Sequence, residues 1–215
     1  KLKIPAGAKP SQKTILAPEA LKTLFSSDIT TYHGKPIKDF YIHAYRFAVL
    51  TGMRPGELLG LRTRDIRGDI VTIRQSVNDN NEITRGKNKN ARRTYQLGEL
   101  ALKELEAQRR MLMAAGKISE YVFPREETMD FINQAFFRSR WKRYCAANGI
   151  TAALTPYELR HTFVSVNVEM PIGLKKMVMG HSENMDTEGV YGHQKKGDME
   201  LAAQYIDAAF KKIIG

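Results

Sequence analysis

Residues Thr155–His193 read TPYELRHTFVSVNVEMPIGLKKMVMGHSENMDTEGVYGH, and the rest of the chain is organised around what they carry. Pro156 can open a helix, because its missing N–H falls in the first turn, where backbone donors have no helical partner. On that helix Tyr157 and Arg160 stand three residues apart and share a face. Gly180 supplies a helix stop, His181 follows at once, and Tyr191 comes ten residues later. An arginine, a histidine and a tyrosine brought together can bind a phosphate, donate or relay a proton, and attack the phosphorus.

A second stretch, Leu50–Leu61, reads LTGMRPGELLGL. Arg54 lies between a glycine stop, Gly52, and Pro55, where a new helix can start. A side chain at such a junction points out of the fold rather than along a regular face. Taken in order, TGMRPGELLGL, ELRHTF, MGHS and VYGH resemble the catalytic domain of the tyrosine recombinases, the phage integrase family. The resemblance runs from about Ile15 to the C-terminus, and the HSENMDTEGVYGH segment is most similar to integrases of phages and conjugative transposons. It implies a site-specific DNA recombinase that cuts and rejoins DNA through a 3′-phosphotyrosine, for integration and excision of a mobile element, with no cofactor.

The resemblance also assigns roles, and the residue types suit them. Tyr191 is the nucleophile; a free phenol ionises near pH 10, so a base or nearby guanidiniums must favour the phenolate. Arg54 and Arg160 clamp the two non-bridging oxygens, since guanidinium presents paired donors that match a phosphate edge and stays charged. Glu57 is expected to orient Arg54. His181 donates to the phosphate or shares the nucleophile's proton. Tyr157 stands where the family usually has a histidine; a phenol can donate a hydrogen bond but is a poor base at neutral pH. A lysine in a hairpin turn is the general acid by resemblance, and Lys87 and Lys89 both qualify, with Lys87 preferred.

The charge balance agrees with a polyanionic partner. The chain has 34 Lys and Arg against 23 Asp and Glu, a net charge of +11. Arg85–Arg93 (RGKNKNARR) holds five basic residues and no acid, and Arg138–Arg143 (RSRWKR) holds four and no acid. Arg85, Lys89, Arg92, Arg93, Arg138, Arg140, Lys142 and Arg143 are therefore the expected contacts to double-stranded DNA. A single cysteine, Cys145, leaves no internal disulfide, which suits a reducing cytoplasm. No signal-peptide pattern or membrane-spanning apolar run is present. The spacing of His161, His181 and His193 matches no zinc motif, no carboxylate cluster suits magnesium, and no phosphate-binding glycine loop suggests ATP.

Along the chain, residues 1–13 (KLKIPAGAKPSQK) read as a linker, and by resemblance an N-terminal DNA-clamping domain would precede them. Residues 14–215 read as one catalytic domain. Pro18 opens a short helix facing inward with Leu21, Leu24 and Phe25, and Ser26–Lys38 reads as a loop. Asp39 caps a buried helix, Phe40–Leu50, in which His43 is a core or rim residue. Period-two alternation from Ile70, resumed at Glu82–Thr84 and Arg92–Leu97, predicts a three-stranded antiparallel meander. Helices are expected over Glu99–Met113, with Leu102, Leu105 and Leu112 inward, over Phe131–Asn148 and over Asp198–Ile213. The aromatic residues Phe136, Phe137, Trp141 and Tyr144 fit a buried stripe better than a base-stacking surface. The expected fold is thus α+β, mainly α-helical with a small antiparallel sheet.

The terminal helix, apolar at Leu201, Tyr205, Ile206, Ala209 and Phe210, either docks on a neighbouring protomer or folds back. The first option implies a homo-oligomer on DNA, from dimer to tetramer. Two rival functions share parts of the pattern. A type IB topoisomerase uses the same chemistry to relax one duplex, and a non-catalytic DNA-binding protein needs only the basic surface.

Overall fold

The computed structural model describes residues 14–85, 92–151, 155–180 and 197–215, and these pack around one helix, α2 (Ile42–Thr51). All ten of its residues are buried. Its histidine and arginine are answered: His43 Nδ1 lies 2.7 Å from Glu104 Oε2, and Arg46 donates to Leu24 O and Asp28 Oδ1 at 2.7 Å each. The helix starts two residues later than expected, because the Asp39 carboxylate takes the Tyr41 N–H at 2.8 Å. Burial pushes the Asp39 carboxyl up to about 6, with that N–H bond opposing the rise.

Helix α1 (Pro18–Ser26) buries Leu21 and Leu24 as its spacing requires. Residues Ser26–Lys38 are not a loop. They form a hairpin, β1 (Ile29–Tyr32) with β2 (Lys35–Lys38), closed by His33 and Gly34 at φ 48° and 74°. Two positive φ angles make a hairpin turn whose twist matches the strands. Of the eight strand residues Thr30 alone is buried, so no apolar alternation marks the ribbon.

The three-stranded antiparallel sheet is present, with different members from those expected. Its order is β3 (Ile66–Arg67), β4 (Ile70–Ile73), β7 (Arg93–Gln96). Ile83–Thr84, expected in that sheet, is β6 and pairs instead with β5 (Ser76–Val77) in a separate hairpin. Asn78 closes it, its side chain accepting from the N–H groups of Asn80 and Glu82 at 2.9 Å.

Helix α4 (Glu99–Ala114) packs on α2, with Ala101 and Gln108 buried and Leu102 and Leu105 partly so. Helix α5 (Gln134–Ala147) is capped by Asn133, which accepts from Phe136 N at 2.7 Å. Its Phe137, Trp141 and Tyr144 surround Tyr45 at ring-centroid distances of 5.4, 4.9 and 5.6 Å, so the aromatic stripe is core. Two more helices carry the opening stretch: α6 (Tyr157–Val166) and α7 (Ile172–Met179), the latter stopped by Gly180 at φ 63°.

The terminal helix α8 (Asp198–Ile214) folds back on its own domain, against α1, α4, α7 and β7. Ala202, Ala203, Ile206 and Phe210 are buried there, and Ile206 and Phe210 contribute about 1.5–3 kcal/mol each. Asp207 accepts from Glu99 N at 2.6 Å and Leu100 N at 3.1 Å, so α8 caps α4. A Cβ on Gly98 would lie 2.5 Å from Asp207 Oδ1, which is why the residue before α4 has no side chain.

Candidate active site

Arg54 is held at a junction between two helices. Gly52 ends α2 at φ 62°, and Pro55 begins α3 (Pro55–Leu59) with Arg54 in the extended N-cap position. A Cβ on Gly52 would meet the Phe163 ring at 2.5 Å, so α2 can end there only on glycine. Gly56 likewise brings α3 onto β5, where a Cβ would meet the Val77 carbonyl oxygen. The turn leaves the Arg54 side chain 34% exposed while everything beneath it is buried.

Glu57, on the next turn, is the hub. Its Oε2 accepts from Arg54 N at 2.9 Å and its Oε1 from Arg54 Nη1 at 2.8 Å. From the other side Arg93 donates Nη1 to Oε1 at 3.0 Å and Nη2 to Oε2 at 2.8 Å. Burial alone would raise this carboxyl, but the bonds and charge of Arg93, followed by those of Arg54, hold it at about 2. Glu57 therefore stays ionised at any working pH and orients Arg54, as expected.

Arg93 corrects an expectation. Placed by its basic run among the DNA contacts, it is 9% exposed and points inward, with Nε donating to Val178 O at 2.6 Å. The strand alternation of β7 turns Arg93 and Tyr95 to the core and leaves Arg92 exposed.

Arg160, on α6, is 5% exposed. Its Nη1 donates to Gly52 O at 2.6 Å and its Nη2 to Met179 O at 2.9 Å. Burial and the neighbouring Arg54 charge lower its pKa to about 10, which leaves it a cation at neutral pH. Arg54 Nη2 approaches Gly180 O at 3.5 Å. The two guanidiniums are thus tied to consecutive carbonyls at the end of α7, immediately before His181. The Arg54 charge is felt at Arg160, so the two guanidiniums are neighbours, Arg54 on the groove and Arg160 buried, and paired guanidinium donors fit a phosphate.

A groove opens beside Arg54, lined by Glu57, Gln75, Arg85, Tyr157 and Gly180. Tyr157 is 46% exposed at the first position of α6 and lines this groove. A second groove runs alongside, where Arg64, Arg74, Arg85 and Arg92 converge. Sequence reasoning missed Arg64 and Arg74 because neither lies in a dense basic run free of acids. Arg138 and Lys142 are exposed on α5. Arg140 and Arg143 are engaged within the fold, Arg140 over Phe136 at 4.6 Å and 3.5 Å from Glu127, Arg143 over Tyr32 at 5.0 Å.

Lys87, Lys89, His181 and Tyr191 lie outside the described residues. The described residues that flank them are informative nonetheless. Arg85 and Arg92, on either side of Lys87 and Lys89 in sequence, line the grooves, and Gly180, just before His181, lines the Arg54 groove. Among the described residues no group of three His, Cys, Asp or Glu side chains is placed to hold a metal ion.

The model of the phage integrase family matches residues 16–197. The tyrosine recombinase XerD of Shewanella oneidensis is 29% identical over 159 residues, 70% of this chain and 48% of that protein. XerD of Proteus mirabilis is 32% identical over 148 residues, 66% of this chain and 44% of that protein. The chain thus spans about half the length of the curated relatives it matches. Among solved structures, the Tn1549 transposon integrase with circular intermediate DNA superposes at a TM-score of 0.67 and 18% identity, over 94% of this chain and 68% of that one. A lambda integrase dimer bound to a core site gives 0.57 at 16% identity, over 94% and 62%. These likenesses establish the same fold, mostly helical with small antiparallel sheets.

Proposed function

The chain belongs to the phage integrase family, and on that footing we propose that it is a site-specific DNA recombinase of the tyrosine class, integrating and excising a mobile element. The observation that carries this reading is the pair Arg54 and Arg160, from helices distant in sequence, anchored on the carbonyls of Gly180 and Met179 beside an open groove. A scissile phosphate placed there has its non-bridging oxygens between two guanidiniums already fixed in position. Preorganised charge of this kind acts without reorganisation as negative charge grows on the phosphorane.

In this reading Tyr191 attacks the phosphorus. The bond from phosphorus to the 5′-oxygen breaks, leaving a 3′-phosphotyrosine and a free 5′-hydroxyl once a proton reaches the leaving oxygen. Lys87 supplies that proton, with Lys89, two residues on, as the alternative. His181 donates to the phosphate or takes the phenol proton, and Tyr157 adds a hydrogen bond from the groove wall. A 5′-hydroxyl from a partner duplex then reverses the step, so the bond energy is conserved and no cofactor is consumed. Of the structures that share the fold, the Tn1549 integrase holds circular intermediate DNA and the lambda integrase a core site, which supports duplex DNA as the substrate here.

The exposed Arg64, Arg74, Arg85, Arg92, Arg138 and Lys142 would follow the backbone on either side of the cut. We expect affinity for duplex DNA to fall by at least about a thousandfold between ~50 and ~200 mM salt, the response to releasing several counterions. A flat titration would mean these side chains are idle surface. Assembly as a homo-oligomer on DNA belongs to the same proposal, and any link through α8 requires that helix to leave its present seat. Among the described residues no helix is long and apolar enough to cross a membrane, and we place the protein in the cytoplasm with its DNA. The functional test is strand exchange between two marked duplexes carrying the element's ends. Exchange supports a recombinase, whereas relaxation of supercoils without exchange supports a topoisomerase.

A further inference from the structure

We infer that Arg93 is a positioning residue for cleavage, setting the place of the Arg54 guanidinium through Glu57 and locking three separate parts of the site to one another. The inference rests on the proposed reading of the site and extends it to a buried residue that touches no substrate.

Three observations point to it. First, Arg93 forms a two-point pair with Glu57, at 2.8 and 3.0 Å, and Glu57 holds Arg54 by both its backbone N–H and its side chain. The carboxylate has two oxygens, and each serves one group on Arg54 and one on Arg93. Moving Arg93 therefore moves Arg54. Second, Arg93 Nε donates to Val178 O at 2.6 Å, one residue before the Met179 carbonyl that anchors Arg160 and two before Gly180. One guanidinium thus ties α3 to the end of α7. Third, Arg93 opens β7, the strand that follows Lys87 and Lys89 in sequence. The strand β7, the helix that presents Arg54 and the end of α7 meet at this side chain.

A planar guanidinium is needed for this. Lysine offers one compact charge and cannot meet both carboxylate oxygens and a carbonyl in fixed directions. Misplacement of a reacting or stabilising group by about 1 Å costs on the order of 100-fold in rate.

The test compares the whole chain as wild type, Arg93→Lys, Arg93→Met and Arg54→Ala on two nicked duplexes. One has an ordinary scissile phosphodiester, and the other a methylphosphonate, in which a methyl group replaces one charged oxygen. The guanidiniums answer that charge, so its removal should make their placement matter less. We expect Arg93→Lys to cleave the phosphodiester at least about 30-fold more slowly, on the scale of a sub-ångström to 1 Å displacement. On the methylphosphonate the deficit should shrink severalfold, following Arg54→Ala in direction. Arg93→Lys keeps the buried charge paired, so it gives the readout even where Arg93→Met does not fold. Equal losses on both substrates would mean that Arg93 only supports the fold, and a wild-type rate in Arg93→Lys would mean that it is dispensable; either overturns the inference. Failure of the site reading itself looks different, because the wild type then forms no covalent adduct on either duplex.

Discussion

Tyr191→Phe is expected to form no covalent complex with a nicked duplex, a loss of ~10⁴-fold or more in cleavage, while its DNA affinity is unchanged. Removing a nucleophile takes away the bond-forming atom itself, and the rest of the site cannot substitute for it. The affinity should persist because binding is expected to rest on the basic surface and the two arginines. Gel shift and denaturing electrophoresis on the same samples separate the two effects. Should an adduct survive in the variant, another tyrosine is the nucleophile. Tyr205 is the nearest candidate in sequence, but it is half-buried in α8 and packed against the core, so its hydroxyl would have to leave that seat.

The second large effect separates charge stabilisation from proton donation. Arg160→Ala removes a buried cation and leaves the Gly52 and Met179 carbonyls without its donors, so cleavage should fall by about 10²–10³-fold. Lys87→Ala should cost a similar or larger factor, about 10²–10⁴-fold, if it is the acid. A 5′-bridging phosphorothiolate distinguishes them. Sulfur leaves as a thiolate without a proton, so Lys87→Ala should recover most of its rate on that substrate. Arg160→Ala and Arg54→Ala should remain slow, because the phosphorane still carries charge on its non-bridging oxygens. Recovery by Lys89→Ala and not by Lys87→Ala moves the acid two positions along the chain. Recovery by neither removes both lysines from the proton-transfer step.

Part of this site was legible before any coordinates. Gly52, Pro55 and Gly180 are local signals, and they ended or began helices where the backbone demanded it, which is what brings Arg54 to the surface of the groove. Glu57 as the partner of Arg54 was likewise visible, three residues away on a short helix. Arg93 was not. Its composition assigned it to a basic run, and only the parity of β7, one residue in and the next out, reveals that Arg92 and Arg93 have opposite fates. The sheet shows the same limit. Alternation found Ile70–Ile73 and Arg93–Gln96, but pairing depends on tertiary register, and the two-residue strands β3 and β6 carry too few side chains to announce a partner. The hairpin 29–38 was unreadable from hydrophobicity because nearly all of it faces solvent, although His33-Gly34 is a turn signal in its own right. Nor could an amphipathic terminal helix disclose its own partner. Asp207, polar and unremarked in the sequence, is what fixes α8 onto the N-terminus of α4.

The central claim is that this chain breaks DNA by making a phosphate ester on Tyr191. The direct measurement is to incubate the wild-type chain with a duplex nicked beside the crossover point, so that the small 5′-hydroxyl fragment diffuses away and the intermediate accumulates. The denatured adduct is then digested with trypsin and the modified peptide sequenced by mass spectrometry. The account predicts a nucleotide joined through its 3′-phosphate to Tyr191 in the peptide spanning residues 177–195. An adduct on Ser182 or on any other residue, or cleavage of the strand with no protein attached, would contradict it.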